Sequence, residues 1–550
     1  MSPVGEAAAR PGRAAMFEQL VADGFTHMFG NPGTVEQGFL DRLGSVSEMQ
    51  YVLALQESVA VGMADGYARA SGRAALVQLH SGVGLGNGVG MLYQAMRGHS
   101  PLVVVAGEAG VAYEAFDAQM AVDLVAMARP VTKYATRVTH PASLLRVLRR
   151  AVKTALTPPR GPVFVALPMD VLDADTAEPA LKTVVPSTAV APTDEAAARV
   201  ARLLAGASNP LILVGDGVAD SGAQDVLARV AELLGAPVWD VNSSTVNMDF
   251  AHPLYRGQLG HMFGSVSAAA VAEADAVLIV GTYVFPEVFP QLASPFRPGA
   301  TVVHIDLDSY EIAKNHPVTV GLVADPALAL GKIAAVLSGV VAAEWRGLRR
   351  RPAQVNGVAQ APARPDGDEP LATVFARELG RQAAAPLVVF DEALTASPRL
   401  LAGLPAPRPG DYHLTRGGSL GIGIPGAIGA KIARPEATVV GFTGDGGSMY
   451  TIQALWTAAR HGVAAKFVVC NNRRYRLLDD NIARYWDERG IAPHAAPEGF
   501  DLSRPELGFT DLARGLGVRG RRVDKPGDAA DAVAEMLAHP GPYLVDLDTA

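Results

Sequence analysis

The segment GDGGSMYTIQALWTAARHGVAAKFVVCNN, residues 444–472, decides the fold. The apolar run ATVVGFT precedes it, and a second apolar run, AKFVVCNN, closes it. A stretch of helix length separates the runs, so the pattern predicts two parallel strands joined by a crossover helix. Ligands of open parallel sheets collect at the carboxyl ends of the strands, which is where Asp445 and Asn472 stand. The segment thus predicts an α/β fold and the sheet edge that carries a site.

Asp445 stands in a turn formed by Gly444, Gly446 and Gly447. Glycine lets the backbone approach a phosphate closely, and the free amides at the start of a helix favour an anion. Because a carboxylate would repel a phosphate, the pattern needs a cation between the two. Mg²⁺ commonly bridges one or two protein oxygens to phosphates. We expect Asp445 to supply one oxygen and the side-chain amide of Asn472 a second.

The same alternation of apolar runs and helical segments continues through the whole chain of 550 residues. Runs such as PLVVVAGE, NPLILVGDG and PLVVFDE predict three doubly wound parallel-sheet domains. Two stretches rich in Pro, Ala and small polar residues, 172–194 and 352–370, are predicted to be surface connections. The predicted domains are residues 1–175, 190–345 and 365–550.

The composition restricts the function classes. The hydrophobic share is 49% and the net charge is −8, which gives no basic field for a nucleic acid. The single cysteine, Cys470, excludes an intramolecular disulfide framework and an all-thiolate metal site, and its apolar surroundings predict a core position. Neither a signal peptide nor a membrane span is expected. These features favour a cytoplasmic enzyme with small-molecule partners.

Two other interpretations of the C-terminal block stay open. A glycine-rich turn can close an ordinary βαβ unit without any ligand. The segment GIGIPG, residues 421–426, also matches the dinucleotide fingerprint, with an acidic residue about twenty positions later, and would indicate an oxidoreductase. That fingerprint needs its acidic residue bare at a strand end, whereas Asp445 is surrounded by glycines. The dinucleotide hypothesis is therefore the weaker one.

The GDG motif followed at this distance by NN resembles the thiamine diphosphate (ThDP) enzymes. The resemblance covers nearly the whole chain and includes NPGT at 31–34, LALQE at 53–57 and the segment 79–108. In these segments the chain is similar to the benzoylformate decarboxylases, within the wider group of 2-oxo acid decarboxylases and acetolactate synthases. The resemblance implies an N-terminal pyrimidine-binding domain, a central domain and a C-terminal diphosphate-binding domain.

The resemblance also implies roles for individual residues. Glu57 would activate the cofactor through its aminopyrimidine ring, and His80 would transfer protons beside the reacting carbon. Thr34 takes a position where relatives contact the substrate carboxylate, whereas His99 is expected to be structural. The implied metal ligands are the side chains of Asp445 and Asn472 and the main-chain carbonyl of Arg474. The implied cofactor-binding residues are Gly418, Leu420, Gly444, Asp445, Gly446, Gly447, Ser448, Asn472, Tyr475 and Thr395.

Several positions depart from the pattern of the relatives. Arg473 replaces the usual glycine after the second asparagine, which predicts a local difference in the backbone. Val288 falls where benzoylformate decarboxylases have a second active-site histidine, and Glu287 or His261 are candidates to replace it. Leu477 and Asn481 stand where relatives have a small residue and an aromatic one, so substrate choice does not transfer. Positive charge from residues 473–476 is expected to balance Asp479 and Asp480 rather than to bind an acidic substrate.

The function that the resemblance implies is a ThDP- and Mg²⁺-dependent C–C lyase. It would decarboxylate a 2-oxo acid to an aldehyde through an enamine or carbanion intermediate. The main alternative is a carboligase of the acyloin or acetolactate synthase type, which joins the intermediate to an aldehyde or other carbonyl acceptor. A homologue that has lost catalysis is a further alternative. The resemblance implies a homodimer or homotetramer with active sites at the subunit interface, and no membrane or nucleic-acid partner.

Overall fold

The structure is a computed structural model that describes residues 8–340 and 369–550. It contains three six-stranded sheets, and every strand pair whose direction is defined within them is parallel. The predicted class, α/β with three doubly wound parallel sheets, is confirmed. The exact domain boundaries stay predictions.

The N-terminal sheet has the strand order β3-β2-β4-β5-β7-β6, and the two remaining strands, β1 and β8, pair with each other antiparallel. The strands are β1 Arg10–Pro11, β2 His27–Gly30, β3 Gln50–Leu53, β4 Ala75–His80, β5 Leu102–Glu108, β6 Tyr134–Arg137, β7 Val163–Pro168 and β8 Asp175–Thr176. The helices are Gly12–Ala22, Gln37–Leu43, Glu57–Ser71, Ser81–Arg97, Leu124–Ala128, Leu144–Leu156 and Met169–Asp173, with short 3₁₀ turns at Thr34–Glu36, Val111–Phe116, Arg129–Val131 and Pro141–Ser143.

The middle sheet has the order β11-β10-β9-β12-β13-β14. Its strands are β9 Pro210–Val214, β10 Val238–Val241, β11 Tyr255–Leu259, β12 Ala276–Val280, β13 Thr301–Asp306 and β14 Val320–Val323. The helices are Asp194–Ala205, Gly217–Asp220, Gln224–Leu234, Gly264–Val271 and Pro326–Val340.

The C-terminal sheet has the order β16-β15-β17-β18-β20-β19. Its strands are β15 Leu387–Glu392, β16 Tyr412–Leu414, β17 Thr438–Gly444, β18 Lys466–Asn471, β19 Arg519–Val523 and β20 Tyr543–Asp548. The helices are Leu371–Gln382, Ser397–Gly403, Gly423–Ala433, Asp445–Ser448, Ala454–Arg460, Arg476–Arg489, Phe509–Gly515 and Ala529–Ala538, with 3₁₀ turns at Leu394–Ala396, Glu498–Phe500 and Pro526–Asp528. Cys470 is buried on β18, as predicted.

The chain forms two compact units. The first consists of Met1–Pro186, Asp368–Gly403 and Thr415–Ala550, and the second of Ser187–Gly367 and Leu404–Leu414. Within the first unit, helix Glu57–Ser71 packs against helix Gly423–Ala433.

Glycine makes this helix pair possible. A Cβ at Gly66 would lie 2.0 Å from the carbonyl oxygen of Gly426, and one at Gly429 would lie 1.8 Å from that of Met63. Because no side chain fits at such distances, both helices need glycine at the contact. Gly426, the last residue of GIGIPG, therefore contributes its backbone to this helix contact.

Most of the first predicted connection, 172–194, lies outside helices and strands near the surface, as predicted, but its beginning is ordered. Its beginning completes helix Met169–Asp173 and forms β8, which pairs with β1. Gln19 bonds both the carbonyl and the amide of Leu181, at 2.6 and 3.1 Å, so the next residues are also attached. Hydrogen bonding to the first helix therefore gives this segment a fixed course that its composition did not reveal. The second predicted connection, 352–370, lies almost entirely outside the described residues.

Candidate active site

Glu57 begins the helix that follows β3, as predicted. Gln56 caps this helix, because its side-chain oxygen accepts the amide hydrogen of Ser58 at 2.6 Å. The carboxylate of Glu57 is buried, with a 4% exposed fraction. It accepts hydrogen bonds from the side-chain amides of Asn31, at 3.1 Å, and Asn87, at 2.9 Å. Two neutral donors therefore hold a buried acid at the end of a strand, in a fixed orientation.

A polar chain behind Glu57 fixes the position of Asn31. Tyr51 donates to Gln78 at 2.6 Å, and Gln78 donates to the carbonyl of Asn31 at 3.0 Å. Burial, followed by the charges of Glu36 and Glu57, raises the pKa of Tyr51 above its usual range. The phenol therefore stays protonated as a donor.

His80 is the last residue of β4, and Glu36 holds its ring. The Nδ1 atom of His80 lies 2.8 Å from Oε2 of Glu36, while Oε1 of Glu36 accepts the amide of Gly107 at 3.0 Å. Burial raises the pKa of the Glu36 carboxyl, and its hydrogen bond with His80 opposes that shift. Among the described residues, Nε2 of His80 has no hydrogen-bond partner. The ring is thus anchored through one nitrogen and presents the other.

Small residues bring Glu57 and His80 into one pocket. A Cβ at Gly84 would lie 2.9 Å from Oε1 of Glu57 and 3.2 Å from Cβ of His80. A Cβ at Gly33 would lie 1.9 Å from Nδ1 of His80, so glycine is required there too. The next residue, Thr34, is exposed. The structure therefore brings together the three predicted catalytic residues of the N-terminal domain.

The predicted metal-binding oxygens converge in the C-terminal domain. Asp445 follows β17 and is buried. Its Oδ2 accepts the amides of Asn472, at 3.2 Å, and Arg474, at 3.1 Å. The same amide of Arg474 donates to Oδ1 of Asn472 at 2.9 Å. Because one amide contacts both side-chain oxygens, these oxygens face the same point.

The two asparagines have different tasks. Asn471 donates to Asp546 at 3.0 Å and accepts the amide of Arg473 at 3.2 Å, so its side chain is used inside the domain. Asn472 is the one whose oxygen faces Asp445. Arg473 has a φ of 58°, in the left-handed region that glycine adopts freely. Arginine therefore takes a conformation that glycine adopts freely, and a local difference from the backbone of relatives stays a prediction.

These residues fit a divalent cation and a phosphate. Burial raises the pKa of Asp445, and backbone amide donors oppose that shift. A cation would offset this cost of desolvation, and carboxylate, amide and carbonyl oxygens are the donors that Mg²⁺ prefers. A Cβ at Gly444 would meet no atom within 4 Å, so the turn is open there. Gly446 packs instead against the ring of Tyr475, which would lie 2.2 Å from a Cβ.

The remaining predicted cofactor residues lie near strand ends of the same domain. Gly418 is exposed and has a φ of 75°, with nothing within 4 Å of a Cβ position. Leu420 and Thr395 are half-buried. Ser448 is buried, and its hydroxyl donates to the carbonyl of Asp445 at 2.7 Å. Ser448 thus stabilises the turn directly, and a role toward a ligand stays a prediction.

Glu392, at the end of β15, is a functional candidate that sequence reasoning missed. Its buried carboxylate accepts the amides of Gly421, Ile422 (3.2 Å) and Gly423 (2.7 Å) and the hydroxyl of Thr443 (3.1 Å). Burial raises the pKa of Glu392 to about 7, against these donors. A dinucleotide would need the amides of GIGIPG for its pyrophosphate. Because these amides already donate to Glu392, they are not free to bind a pyrophosphate, which argues against dinucleotide binding at GIGIPG.

Val288 and His261 are neighbours in the middle domain. The amide of Val288 donates to the carbonyl of His261 at 3.3 Å, and both side chains are exposed. Glu287 is half-buried, and its pKa is raised by burial.

In the C-terminal domain, Leu477 and Asn481 stand one turn apart on helix Arg476–Arg489 and are half-buried. Residues four apart share a helix face. A role for these two residues, and for Val288, in substrate choice stays a prediction.

The arginines of the metal loop are paired with carboxylates. Arg474 binds Asp479 through two bonds, of 2.5 and 2.9 Å. Arg476 lies 3.9 Å from Asp480. Arg473 binds Glu506 at 3.0 Å and also Asp548. The predicted charge balance is thus present, although Arg473 uses partners from elsewhere in the domain.

Glu57 and Asp445 have separate sets of hydrogen-bond partners. Those of Glu57 come from the N-terminal domain and those of Asp445 from the C-terminal domain. The structure thus holds two half-sites in one unit, one bearing an acid and an imidazole and the other bearing the predicted metal-binding oxygens.

Comparison with known families explains these half-sites. Residues 10–127 match the thiamine pyrophosphate enzyme N-terminal TPP binding domain, residues 197–333 the central domain, and residues 399–547 the C-terminal TPP binding domain. The chain therefore belongs to the thiamine pyrophosphate enzyme family and is an enzyme that uses ThDP. The predicted family is confirmed.

Individual relatives share the full length of the chain. It is 32% identical over 546 residues to a benzoylformate decarboxylase of Pseudomonas aeruginosa, covering 98% of both chains. It is 31% identical to a putative acetolactate synthase large subunit, IlvX, of Mycobacterium tuberculosis, again covering 98% of both chains. A solved ThDP-dependent 4-hydroxybenzoylformate decarboxylase of Rhodococcus jostii superposes with a TM-score of 0.84 at 29% identity, covering 98% of this chain and 99% of that one. Decarboxylases and synthases are thus both among its relatives.

No helix of the described residues is long and apolar enough to cross a membrane.

Proposed function

We propose that this protein is a ThDP- and Mg²⁺-dependent decarboxylase of a 2-oxo acid that releases an aldehyde. When bound, ThDP supplies a carbon nucleophile and an electron sink for the loss of CO₂. Asp445, Asn472 and the carbonyl of Arg474 would hold Mg²⁺. Glu57 would bind the aminopyrimidine ring with its buried carboxyl group, which Asn31 and Asn87 orient.

The pairing of His80 with Glu36 is the observation that carries the proposal. Release of an aldehyde requires a proton donor beside the reacting carbon, and an imidazole titrates near neutral pH. Glu36 fixes the ring through Nδ1 and leaves Nε2 for proton transfer in the pocket of Glu57. Thr34, next to Gly33 and exposed, would contact the substrate carboxylate. A carboxylate–imidazole pair of this kind supports protonation over ligation.

A substrate panel tests the proposal. The purified full-length protein is incubated with ThDP, Mg²⁺ and aliphatic or aromatic 2-oxo acids, and aldehyde and CO₂ are measured. We expect aldehyde and CO₂ in equal amounts from at least one acid, and a rate reduced roughly 10²-fold or more in His80→Ala. CO₂ release without aldehyde, or an unchanged rate in His80→Ala, would contradict the assignment.

Carboligation is the second candidate, and Val288 is the observation that favours it. Val288 falls where benzoylformate decarboxylases have a second active-site histidine, and a valine cannot transfer a proton. Adding an acceptor aldehyde to the same assays measures ligation directly. Val288→His is expected to shift the product ratio toward free aldehyde. A ratio unchanged by this substitution would remove the argument for ligation.

We further propose a cytoplasmic homodimer or homotetramer with active sites between subunits. The separate hydrogen-bond partners of Glu57 and Asp445, each from its own domain, support this assembly. Exposed apolar side chains flank both half-sites: Leu55 and Val83 beside the acid and imidazole, Met449 and Tyr450 directly after the GDGGS turn. Two copies could cover these residues while joining one acid to one metal site. Sedimentation of the protein with and without ThDP and Mg²⁺ tests the assembly, and a monomer under both conditions would exclude it.

A further inference from the structure

Arg473 combines an unfavourable backbone conformation with a network of charges. It stands between the two proposed metal-binding residues, Asn472 and Arg474, and its φ of 58° is strained for any residue with a Cβ. Such strain persists only where the surrounding structure holds it, and it often occurs at functional sites. The strained conformation of Arg473 must therefore be held by its contacts.

Four charged side chains form a closed ring, here called the charge ring: Arg473, Glu506, Arg522 and Asp548. Arg473 binds Glu506 at 3.0 Å and also Asp548. Arg522 binds the same two carboxylates, at 2.9 and 3.2 Å. Each cation thus bridges both anions. An isolated exposed ion pair contributes little, but a network with several partners can fix a side chain.

The backbone of Arg473 is held as well. Its amide donates to the side chain of Asn471 at 3.2 Å, and its carbonyl accepts the amide of Leu502 at 2.9 Å. The left-handed turn directs the next amide, that of Arg474, onto the side-chain oxygens of Asp445 and Asn472. The conformation of Arg473 thus decides how these oxygens are arranged.

We propose that Arg473 is a positioning residue whose charge ring keeps the metal-binding loop in the conformation that accepts Mg²⁺. This inference rests on the proposed function, since it assumes Mg²⁺ at Asp445 and Asn472. Relatives with glycine at this position need no such support, because glycine adopts a positive φ without strain. In this chain the charge ring stabilises a positive φ that glycine would adopt without strain. The affinity for Mg²⁺ therefore depends on four side chains, three of which lie outside the loop.

Calorimetric titration of Mg²⁺ into the full-length protein with ThDP tests the proposal, together with thermal melting without cofactor. We expect Arg473→Ala and Asp548→Asn each to raise the Mg²⁺ dissociation constant about 10-fold, as loss of outer-shell support does in other metal sites. Arg473→Gly should have a smaller effect because it removes the strain together with the ring. The double variant Arg473→Ala/Asp548→Asn should bind no more weakly than Arg473→Ala alone, since both changes open the same ring.

Arg514→Ala is the matched control, because it removes an exposed ion pair with Asp511 in the same domain. It should leave the Mg²⁺ dissociation constant unchanged. A lowered melting temperature with unchanged Mg²⁺ affinity in all ring variants would overturn the proposal, because the ring would then serve stability alone. If Arg473→Ala does not fold, Asp548→Asn decides by the same criterion.

The proposed metal site is tested separately in the same experiment. If wild-type protein shows no Mg²⁺-dependent binding of ThDP, or Asp445→Asn binds as wild type does, the proposed function fails. If wild type binds, Asp445→Asn does not, and the ring variants equal wild type, only the inference about Arg473 fails.

Discussion

Oε2 of Glu36 lies 2.8 Å from Nδ1 of His80, and this contact orients the imidazole of the N-terminal half-site. An ionised Glu36 accepts the Nδ1 proton, which leaves Nε2 for the proton transfer that we propose. The other oxygen of Glu36 is held by the amide of Gly107, so the carboxylate cannot rotate freely. Two neighbouring strand ends, of β4 and β5, thus share one buried acid.

Replacing Glu36 by glutamine should impair proton transfer. The amide group of glutamine would donate to Nδ1 and force the proton onto Nε2, which reverses the roles of the two ring nitrogens. We expect aldehyde formation to slow roughly 10- to 100-fold while CO₂ release from a single turnover is less affected. Glu48→Gln, at an exposed carboxylate of the same domain, is the control. Equal loss in both steps would contradict a role limited to His80.

Replacing Glu57 by glutamine should abolish activation of the cofactor without releasing it. We expect exchange of the thiazolium C2 proton, followed by NMR in D₂O, to slow by about 10² or more, while calorimetry shows ThDP still bound. Asn87→Ala should give a smaller decrease, because Asn31 still orients the carboxyl group. Normal exchange in Glu57→Gln would indicate a homologue without this catalytic step.

Chelation should separate the cofactor from the protein. Because the carboxylate of Asp445 needs a cation beside phosphate, dialysis against EDTA is expected to release ThDP, and Mg²⁺ with ThDP should restore activity. Asn472→Ala should raise the Mg²⁺ requirement about 10-fold or more. Asn471→Ala should instead lower thermal stability, since its side chain bonds Asp546 and Arg473. Retention of ThDP in excess EDTA would contradict the proposal that ThDP binding depends on the metal ion.

Glu392 should make stability fall as pH rises. Its pKa is raised by burial from 4.5 to about 7, so the folded state holds a proton that the unfolded state releases earlier. The resulting stability is complete below about pH 4.5 and is lost as pH rises through about 7. We expect the free energy of unfolding of wild type, relative to Glu392→Gln, to fall by about 2–3 kcal/mol between pH 5 and 8. Urea titrations at several pH values measure this difference in the free energy of unfolding. A difference that does not change with pH would contradict the raised pKa of Glu392.

Adding a side chain where helices Glu57–Ser71 and Gly423–Ala433 touch should destabilise the first unit. Alanine at Gly66 or Gly429 would place Cβ within 2.0 Å of a backbone carbonyl, which the flanking helices cannot relieve by a rotamer change. We expect each substitution to lower the free energy of unfolding by about 1–3 kcal/mol. Gly515→Ala, where a Cβ meets nothing within 4 Å, is the control. A loss no larger than that of the control would show that the helices separate easily.

Features that depend on residues close together in the sequence can be predicted from it. Apolar runs indicate the major strands, and the spacing between Asp445 and Asn472 indicates the ends of two adjacent strands. Glu36 and Glu392 could not be found in this way, because each acts on residues 29 to 71 positions away that only the fold brings near. Arg473 stands out in the sequence because relatives usually have glycine there. The charged partners that hold it, Glu506 and Asp548, lie far along the chain.

The contact between helices Glu57–Ser71 and Gly423–Ala433 restrains the helix that begins at Glu57. The two helix backbones approach closely at Gly66 and Gly429, so sliding one helix along the other would require new clashes at these positions. Two residues without side chains thus set where the helix of Glu57 lies.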